Sequence, residues 1–203
     1  MKLVGNSLAL LLSIAAGFLA AKDPPKFVPG PASSYPARQT VDKLTIAAIA
    51  YDTEEVAKTA FGKVDPNHYG ILPILVVMDY TGDTALYLEN MSVRYVAPDG
   101  SHIEATPASE VPYAIAPKQP NLGGPKSPIP LPRSGKKNPL NGWELQGRAF
   151  VAKMLPPRQS AHGFFYFNTA HFRASQLYIT GIREAATGKE LFYYEIPLTK
   201  NAP

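Results

Sequence analysis

Ile71-Leu-Pro-Ile-Leu-Val-Val-Met-Asp-Tyr80 is the stretch of sequence that decides the fold. Its apolar side chains alternate between the two faces of an extended chain, with Ile74, Val76 and Met78 on one face and Leu75 and Val77 on the other. A strand that is apolar at both parities is covered on both sides. The stretch therefore predicts a central strand of a sheet whose two faces are both buried.

Shorter strand signals flank this stretch on both sides. The predicted strands are 44–51, 85–88, 91–96, 102–105, 145–154, 163–167, 176–182 and 190–198. The segment 145–154 also fits helical spacing, and we interpret it as a strand. Asp52 or Thr53 can cap one short helix that ends at Gly62. About seven to nine short strands with turn residues between them predict an all-β fold, an antiparallel β-sandwich with one short helix and a long proline-rich loop.

The aromatic segment 163–167, Gly-Phe-Phe-Tyr-Phe, sends side chains to both faces of its strand. Phe164 and Tyr166 share one face, so one aromatic pair must leave the core between the two sheets. We expect the proline-rich segments to cover that pair, with a partner or a glycan as the alternative cover. The residues that we predict for the core are Ile74, Val76, Phe165, Ile179 and Phe192.

The amino terminus predicts export. Residues 1–21 have one early lysine, an apolar run of roughly 13 residues and small residues before Lys22, which is the pattern of a signal peptide. The run is shorter than a membrane-spanning helix, so we expect no span in the mature chain, with an uncleaved anchor as the weaker alternative. Residues 22–42 are a proline-rich extended segment, and 43–203 are the sandwich domain. We expect a periplasmic or extracellular protein.

A second proline-rich stretch, 117–142, holds five cations, seven prolines and no acid. Without it, the acidic residues of the chain outnumber the basic ones. Its candidate binding residues are Lys126, Arg133, Lys136 and Lys137, with Trp143 beside them. An envelope protein, a glycan or an anionic surface fits these residues, although a solvated loop is the simpler interpretation. Nucleic acid is not expected, because no aromatic residues are interleaved with the cations.

The residues offer no catalytic motif. The chain has no cysteine, which excludes disulfides, thiolate zinc sites and cysteine nucleophiles, and it has no metal-ligand or nucleophile motif. His68, His162 and His171 are weak candidate metal ligands from separate loops. Asp79, Asp83 and Asp99 are interpreted as turn residues. We therefore expect a non-catalytic binding or scaffold protein without a cofactor. The alternative is an envelope enzyme or metal-binding protein that uses loop histidines and tyrosines.

Four motifs carry a resemblance to a family. They are Val77-Met-Asp-Tyr-Thr-Gly-Asp, the Pro98-Asp-Gly hairpin, the run from Leu155-Pro-Pro-Arg to Gly163-Phe-Phe-Tyr-Phe, and Ala186-Thr-Gly-Lys leading to Glu195-Ile-Pro-Leu. In this order the chain resembles uncharacterised exported bacterial proteins with an immunoglobulin-like β-sandwich. The resemblance spans roughly 44–198. It implies an immunoglobulin-like sandwich and an exported location, and it brings no catalytic residues.

Overall fold

The structure is a computed structural model that describes residues 27–114, 138–140 and 142–198. Most of its regular elements are strands: β1 (Arg38–Val41), β2 (Leu44–Ala50), β3 (Leu72–Tyr80), β4 (Leu86–Tyr87), β5 (Ser92–Val96), β6 (His102–Glu104), β7 (Met154–Leu155), β8 (Ser160–Phe167), β9 (Gln176–Thr180), β10 (Arg183–Glu184) and β11 (Tyr194–Pro197). The α-helices are α1 (Glu54–Phe61) and α2 (Trp143–Gly147). The all-β class that the sequence predicts is confirmed.

The strands form three antiparallel sheets. The first sheet has the order β1-β2-β3-β8, the second β11-β9-β5-β6, and a small third sheet β10-β4-β7. The stretch that decides the fold is central, because β3 pairs with β2 through Ile46 and Met78 and with β8 through Ile74 and Phe165. Its two long ladders hold the first sheet together.

The inner core lies between the first and second sheets. Ile74, Val76 and Met78 of β3 are fully buried there, against residues such as Tyr95 and Ile179 of the second sheet. These are the even-numbered side chains of β3, as the alternation of the sequence requires. This face of the first sheet is therefore the sandwich interface.

The outer cluster covers the other face of the first sheet. Leu75 and Val77 of β3 and Phe164 of β8 lie in it, together with Phe61 of α1 and Leu145 of α2. The cover of the aromatic pair is thus intramolecular, as expected. It comes mainly from the helices, while Val28 of the proline-rich amino-terminal segment is 70% exposed. From that segment, Ala32 is buried in the outer cluster and Phe27 packs against it.

The prediction of a strand over 145–154 is wrong. Trp143–Gly147 forms the second helix, and only the last residue of the predicted span, Met154, is in a strand, β7. The helical turn places Leu145 in the outer cluster, where its carbonyl accepts a hydrogen bond of 2.6 Å from the Tyr166 hydroxyl. The backbone then runs along β8 so closely that a side chain at Gly163 would overlap the backbone of Phe150.

The last strand is shorter than the predicted 190–198. Only Tyr194–Pro197 pairs with β9, where Tyr194 and Ile196 reach the inner core. Phe192 has the same parity as these two, but it precedes the strand and is 71% exposed, so its prediction as a core residue is wrong. Phe165 packs against the inner core and is only partly buried. The turn before this strand has Gly188 at φ 70°, the left-handed conformation that glycine favours.

Candidate functional site

A crevice opens at the end of the sandwich where β3 leaves the first sheet. It has a volume of about 410 Å³, within the usual range for ligand sites. The turn between β1 and β2, the segment after β3 and the turn after β10 form its walls. Its lining residues are Asp42, Lys43, Tyr80, Gly82, Asp83, Thr84, Leu86, Glu184, Lys189 and Leu191.

Asp83 is the centre of the ion pairs at the rim of this crevice. One carboxylate oxygen accepts a hydrogen bond of 2.6 Å from Nη2 of Arg158, and the other lies 3.8 Å from Nζ of Lys43. The hydrogen bond and charge of Arg158, with Lys43 adding to them, lower the pKa of Asp83. All three side chains are exposed, so these pairs orient the groups more than they stabilise the fold.

Glu184 holds the opposite wall through hydroxyl groups. Its carboxylate accepts hydrogen bonds of 2.6 Å from Thr187 and 2.8 Å from Thr84, and these bonds lower the pKa of Glu184. The Thr84 hydroxyl also lies 3.4 Å from that of Tyr80. The carboxylate therefore stays ionised and is fixed in position beside the crevice.

Three charged residues around the crevice have positive φ, which strains a lysine or an arginine and which aspartate tolerates. Asp42 and Lys43 have φ of 45° and 67° in the two-residue turn between β1 and β2, and Arg158 has φ of 57°. Such turns favour asparagine or aspartate at the first position and glycine at the second, so Asp42 fits its position, whereas Lys43 and Arg158 each lose roughly 1–2 kcal/mol in this conformation. Among the residues that the structure describes, only Ala174 is another non-glycine residue with positive φ. Strain that the fold retains is concentrated at functional sites more often than elsewhere.

The arrangement suits a ligand rich in hydroxyl groups. Each hydroxyl can donate a hydrogen bond to a carboxylate and accept one from an ammonium group. The crevice offers the carboxylates of Asp83 and Glu184 alongside the ammonium groups of Lys43 and Lys189, with Leu86 as part of an apolar wall. Because both signs of charge are present, the site does not select for a simple anion or a simple cation.

The basic candidates of the proline-rich loop, Lys126, Arg133, Lys136 and Lys137, lie outside the described residues. Trp143 is described, and it is the first residue of α2 with 62% of its surface exposed. Its ring lies beside Gly147 one turn later. The indole is thus on the surface rather than in the core, and it is not part of the crevice.

The three candidate histidines do not come together. His68 lies in a 3-10 turn just before β3, close to the β8 residue Phe167 that pairs with Leu72. His162 pairs with Val77, five residues along the strand from that end, or roughly 16 Å away. Within the part of the chain that the structure describes, no group of three histidine, aspartate or glutamate side chains can hold a metal ion.

His171 lies beside a serine. Its Nδ1 is 3.4 Å from Oγ of Ser175, which is the residue after the strained Ala174. A serine with a neighbouring imidazole is the beginning of a nucleophile and base pair. Ser175 is 0% exposed, however, so a substrate has no access to its hydroxyl in this conformation.

Sequence reasoning missed the crevice. In the sequence, Asp83 is recognisable only as a turn residue, and Lys43 lies at the boundary between the predicted leader segment and the domain. The two-residue turn Asp42-Lys43 lacks the Asn-Gly or Asp-Gly signature by which such hairpins are recognised. Glu184 and Arg158 reach the crevice only through tertiary structure, which no spacing along the chain encodes.

Comparisons with known proteins assign no family. No protein-family model matches the chain, and a search of curated proteins finds no match. Among solved structures, the chain is similar to the crystal structure of a putative lipoprotein (YcdA) from Bacillus subtilis subsp. subtilis str. 168, with a TM-score of 0.38 and 9% identity. The match covers 81% of this chain and 39% of that chain, so this chain spans well under half of its length. A likeness at this level carries no argument about fold or function.

Over 27–114, 138–140 and 142–198, no helix combines the length and the apolar composition that crossing a bilayer requires.

Proposed function

We propose that this chain is an exported, non-catalytic binding protein of the cell envelope, and that its crevice holds a glycan. The observation that carries the proposal is the presence of two strained cations, Lys43 and Arg158, around one cavity of ligand size. A turn built only for stability would favour glycine at the second position of the turn, where Lys43 stands. Retaining charged side chains there supports a binding role for them.

The immunoglobulin-like topology is part of this proposal. In that fold, one sheet contains strands A, B and E in adjacent positions, and the other contains G, F and C, with C′ at its edge. The order β2-β3-β8 corresponds to A, B and E, and β11-β9-β5-β6 corresponds to G, F, C and C′. This correspondence supports the resemblance that the sequence motifs indicate. Such sandwiches commonly bind their partners through loops at one end.

A glycan fits the crevice better than an anionic surface or a charged envelope protein. The acidic side chains Asp42, Asp83 and Glu184 are balanced there by the cations Lys43, Lys189 and Arg158. A balanced set of charges produces no strong net field to attract a polyanion. Hydroxyl groups, in contrast, use both the acceptors and the donors. An anionic surface or a charged envelope protein would bind the basic loop instead, and the experiment distinguishes binding at the loop from binding at the crevice.

The test measures binding of the mature chain to neutral oligosaccharides, to heparin and to anionic phospholipid vesicles. The double variant Asp83→Asn, Glu184→Gln removes two of the three carboxylates of the crevice while keeping their shapes, and Asp42 remains. We expect it to bind neutral oligosaccharides at least tenfold more weakly than the wild type, a loss of about 1.4 kcal/mol. Asp99→Asn is the matched control, because Asp99 is also a turn carboxylate that accepts a backbone hydrogen bond, from Ser101.

Two results would contradict the glycan proposal. One is neutral oligosaccharide binding that is equal in the double variant and in the control. The other is binding to heparin or vesicles alone, weakened by salt, which would assign the function to the basic loop. If the basic loop is the binding site, replacing Lys126, Arg133, Lys136 and Lys137 by glutamate abolishes binding to heparin and vesicles. If the crevice is the binding site, the same replacement leaves the binding of neutral oligosaccharides intact. Trp143→Ala tests whether the exposed indole stacks on the same sugar.

The alternative of an envelope enzyme has one specific observation, the contact between His171 and Ser175. We propose the non-catalytic function because the serine hydroxyl is buried and has no access to substrate. Reaction with a fluorophosphonate probe distinguishes the two. Labelling of the wild type that disappears in Ser175→Ala supports the enzyme, and absence of labelling supports the binding protein.

A further inference from the structure

Arg148 is a partly buried cation that forms no ion pair among the described residues, and two of its guanidinium nitrogens are buried. It follows α2, its carbonyl accepts a hydrogen bond of 2.8 Å from the Phe164 amide, and its guanidinium carbon lies 5.2 Å from the centre of the Phe27 ring. The Nε and Nη1 atoms are buried and donate to no acceptor in the described part of the chain. The outer cluster thus encloses two donor nitrogens of this cation, Nε and Nη1, that are unused among the described residues.

Other arginines of the chain show the contrast. Arg94, Arg158 and Arg183 lie at the surface, and each pairs with a carboxylate. No such pair includes Arg148 among the described residues. Water can hydrogen-bond to the donors of a surface arginine far more readily than to buried donors. Asp52 likewise has one buried carboxylate oxygen without a hydrogen bond, and no ion pair joins it to Arg148. Removing the donors Nε and Nη1 from water without giving them an acceptor is unfavourable, and an anion that accepts from them would offset this cost.

The surroundings of the guanidinium are aromatic. The Phe27 ring lies 5.5 Å from that of Phe164 and 6.2 Å from that of Tyr51, and the last two rings are 4.9 Å apart in an edge-to-face contact. Two of these rings belong to the sheet or its end, whereas Phe27 comes from the amino-terminal segment. The Phe27 ring therefore occupies an aromatic slot, over which the guanidinium forms a cation–π contact.

The segment that carries Phe27 is weakly held. Its neighbour Val28 is 70% exposed, and the next anchor is the hydrogen bond of 2.9 Å from the Gly30 amide to the Tyr35 hydroxyl. Firm attachment begins at Ala32, whose amide donates a 2.6 Å hydrogen bond to Asp79. Phe27 can thus leave the slot while the chain from Ala32 onward keeps its place.

We propose that Arg148 is the anion-binding residue of a second ligand site, and that this site takes an aromatic carboxylate. The aromatic group of the ligand replaces the Phe27 ring between Tyr51 and Phe164, and its carboxylate accepts hydrogen bonds from Nε and Nη1 of Arg148. The ring contributes apolar burial and the carboxylate pairs with the two buried nitrogens of the guanidinium, so the two contributions act together. This site is separate from the crevice and does not depend on the proposed glycan.

The test uses the mature chain with N-acetylphenylalanine as the probe and its uncharged amide as the matched ligand control. We expect the acid to raise the melting temperature of the wild type and the amide to leave it unchanged. Phe27→Ala removes the competing ring, and we expect it to bind the acid at least tenfold more tightly by calorimetry. Arg148→Gln should bind the acid at least tenfold more weakly. Arg173→Gln, at an exposed arginine, is the matched protein control and should bind as the wild type does.

Arg148→Met gives a second readout that requires no ligand. Because it replaces a partly buried guanidinium with two unpartnered buried nitrogens by an apolar chain of similar length, its melting temperature without ligand should equal or exceed that of the wild type. A clear decrease would overturn the proposal by showing that the guanidinium is a structural element. Equal binding of the acid and the amide by Phe27→Ala, or undiminished binding by Arg148→Gln, would overturn it too. If Arg148→Gln does not fold, the comparison of acid and amide on Phe27→Ala decides alone.

Discussion

Strand β3 of the first sheet is buried on both faces, but different kinds of structure cover them. The inner face packs on a second sheet, whose strands have the same period as the strands they contact. The outer face packs on two short helices, several 3-10 turns and the ring of Phe27. A period of two in the sequence of β3 indicates that both faces are covered, and it contains no information about what covers them. The comparison teaches that burial is encoded locally while the identity of the cover is not.

The largest expected effect contrasts two adjacent phenylalanines on opposite faces. Phe164 is almost fully buried in the outer cluster, with ring centres of Phe61 and Tyr51 at 4.8 and 4.9 Å. Phe165, on the inner face, is only partly buried and stacks on Phe150. We expect Phe164→Ala to lower the free energy of unfolding by about 3–5 kcal/mol, and Phe165→Ala to lower it by less. Urea denaturation measures both, and a larger loss for Phe165→Ala would mean that the outer cluster is loosely packed.

Alkaline pH sharpens the same comparison. Burial, with a smaller contribution from Tyr35, raises the pKa of Tyr51 to about 12. The unfolded chain ionises this phenol near pH 10, so its contribution to stability is full below that pH. It is lost between about pH 10 and 12, for a total of about 2–3 kcal/mol. Denaturation at pH 9 and at pH 11.5 should therefore show that the free energy of unfolding falls less between these pH values in Tyr51→Phe than in the wild type.

Tyr194 of the inner core provides the control for that measurement. Burial raises its pKa as well, so Tyr194→Phe should also reduce the alkaline loss of stability. If only Tyr194→Phe has this effect, the Tyr51 phenol is hydrated in solution and the outer cluster is more open than described.

A pair of valines gives the next effect. Val76 and Val77 are neighbours in β3, buried in the inner core and in the outer cluster respectively. Each valine to alanine substitution should cost about 1–3 kcal/mol, because the lost methyl groups leave a cavity in either place. The two variants can be compared directly by thermal and chemical denaturation, because both valines belong to β3 and both pair with β2 and β8. A negligible cost at Val77 alone would break the equivalence of the two faces.

The smallest effect concerns the helical cover itself. The Thr53 hydroxyl accepts a hydrogen bond of 3.3 Å from the Val56 amide and so caps α1. Thr53→Ala should cost about 1 kcal/mol, whereas Thr53→Ser, which keeps the hydroxyl, should cost little. Circular dichroism and thermal unfolding check this prediction. An equal loss in both variants would show that methyl packing, rather than capping, is the contribution of this residue.

The sequence predicted those elements whose signal lies within a few residues. The two-sided strand β3, the capped helix after Thr53 and the Pro98-Asp-Gly hairpin all belong to this class. The helix at Trp143 was missed because helical and strand periods compete over so short a span, and the buried position of Leu145 decides between them. Phe192 has the right parity for the core, but pairing with β9 starts only at Tyr194. The crevice joins Lys43, Asp83 and Glu184 from distant parts of the chain, which single-sequence patterns do not connect.

Strand β8 is an edge strand of the first sheet, yet its free edge is hydrogen-bonded to other segments of the chain. The Thr106 amide donates a hydrogen bond of 2.7 Å to the Tyr166 carbonyl, and Phe164 exchanges hydrogen bonds with Arg148 and Phe150 on the same side. Unpaired strand edges are templates on which further chains add and aggregate. Here irregular segments of the same chain already occupy the template. A protein without cysteines, which no disulfide can lock, thereby gains protection against edge-to-edge fibre growth at high concentration.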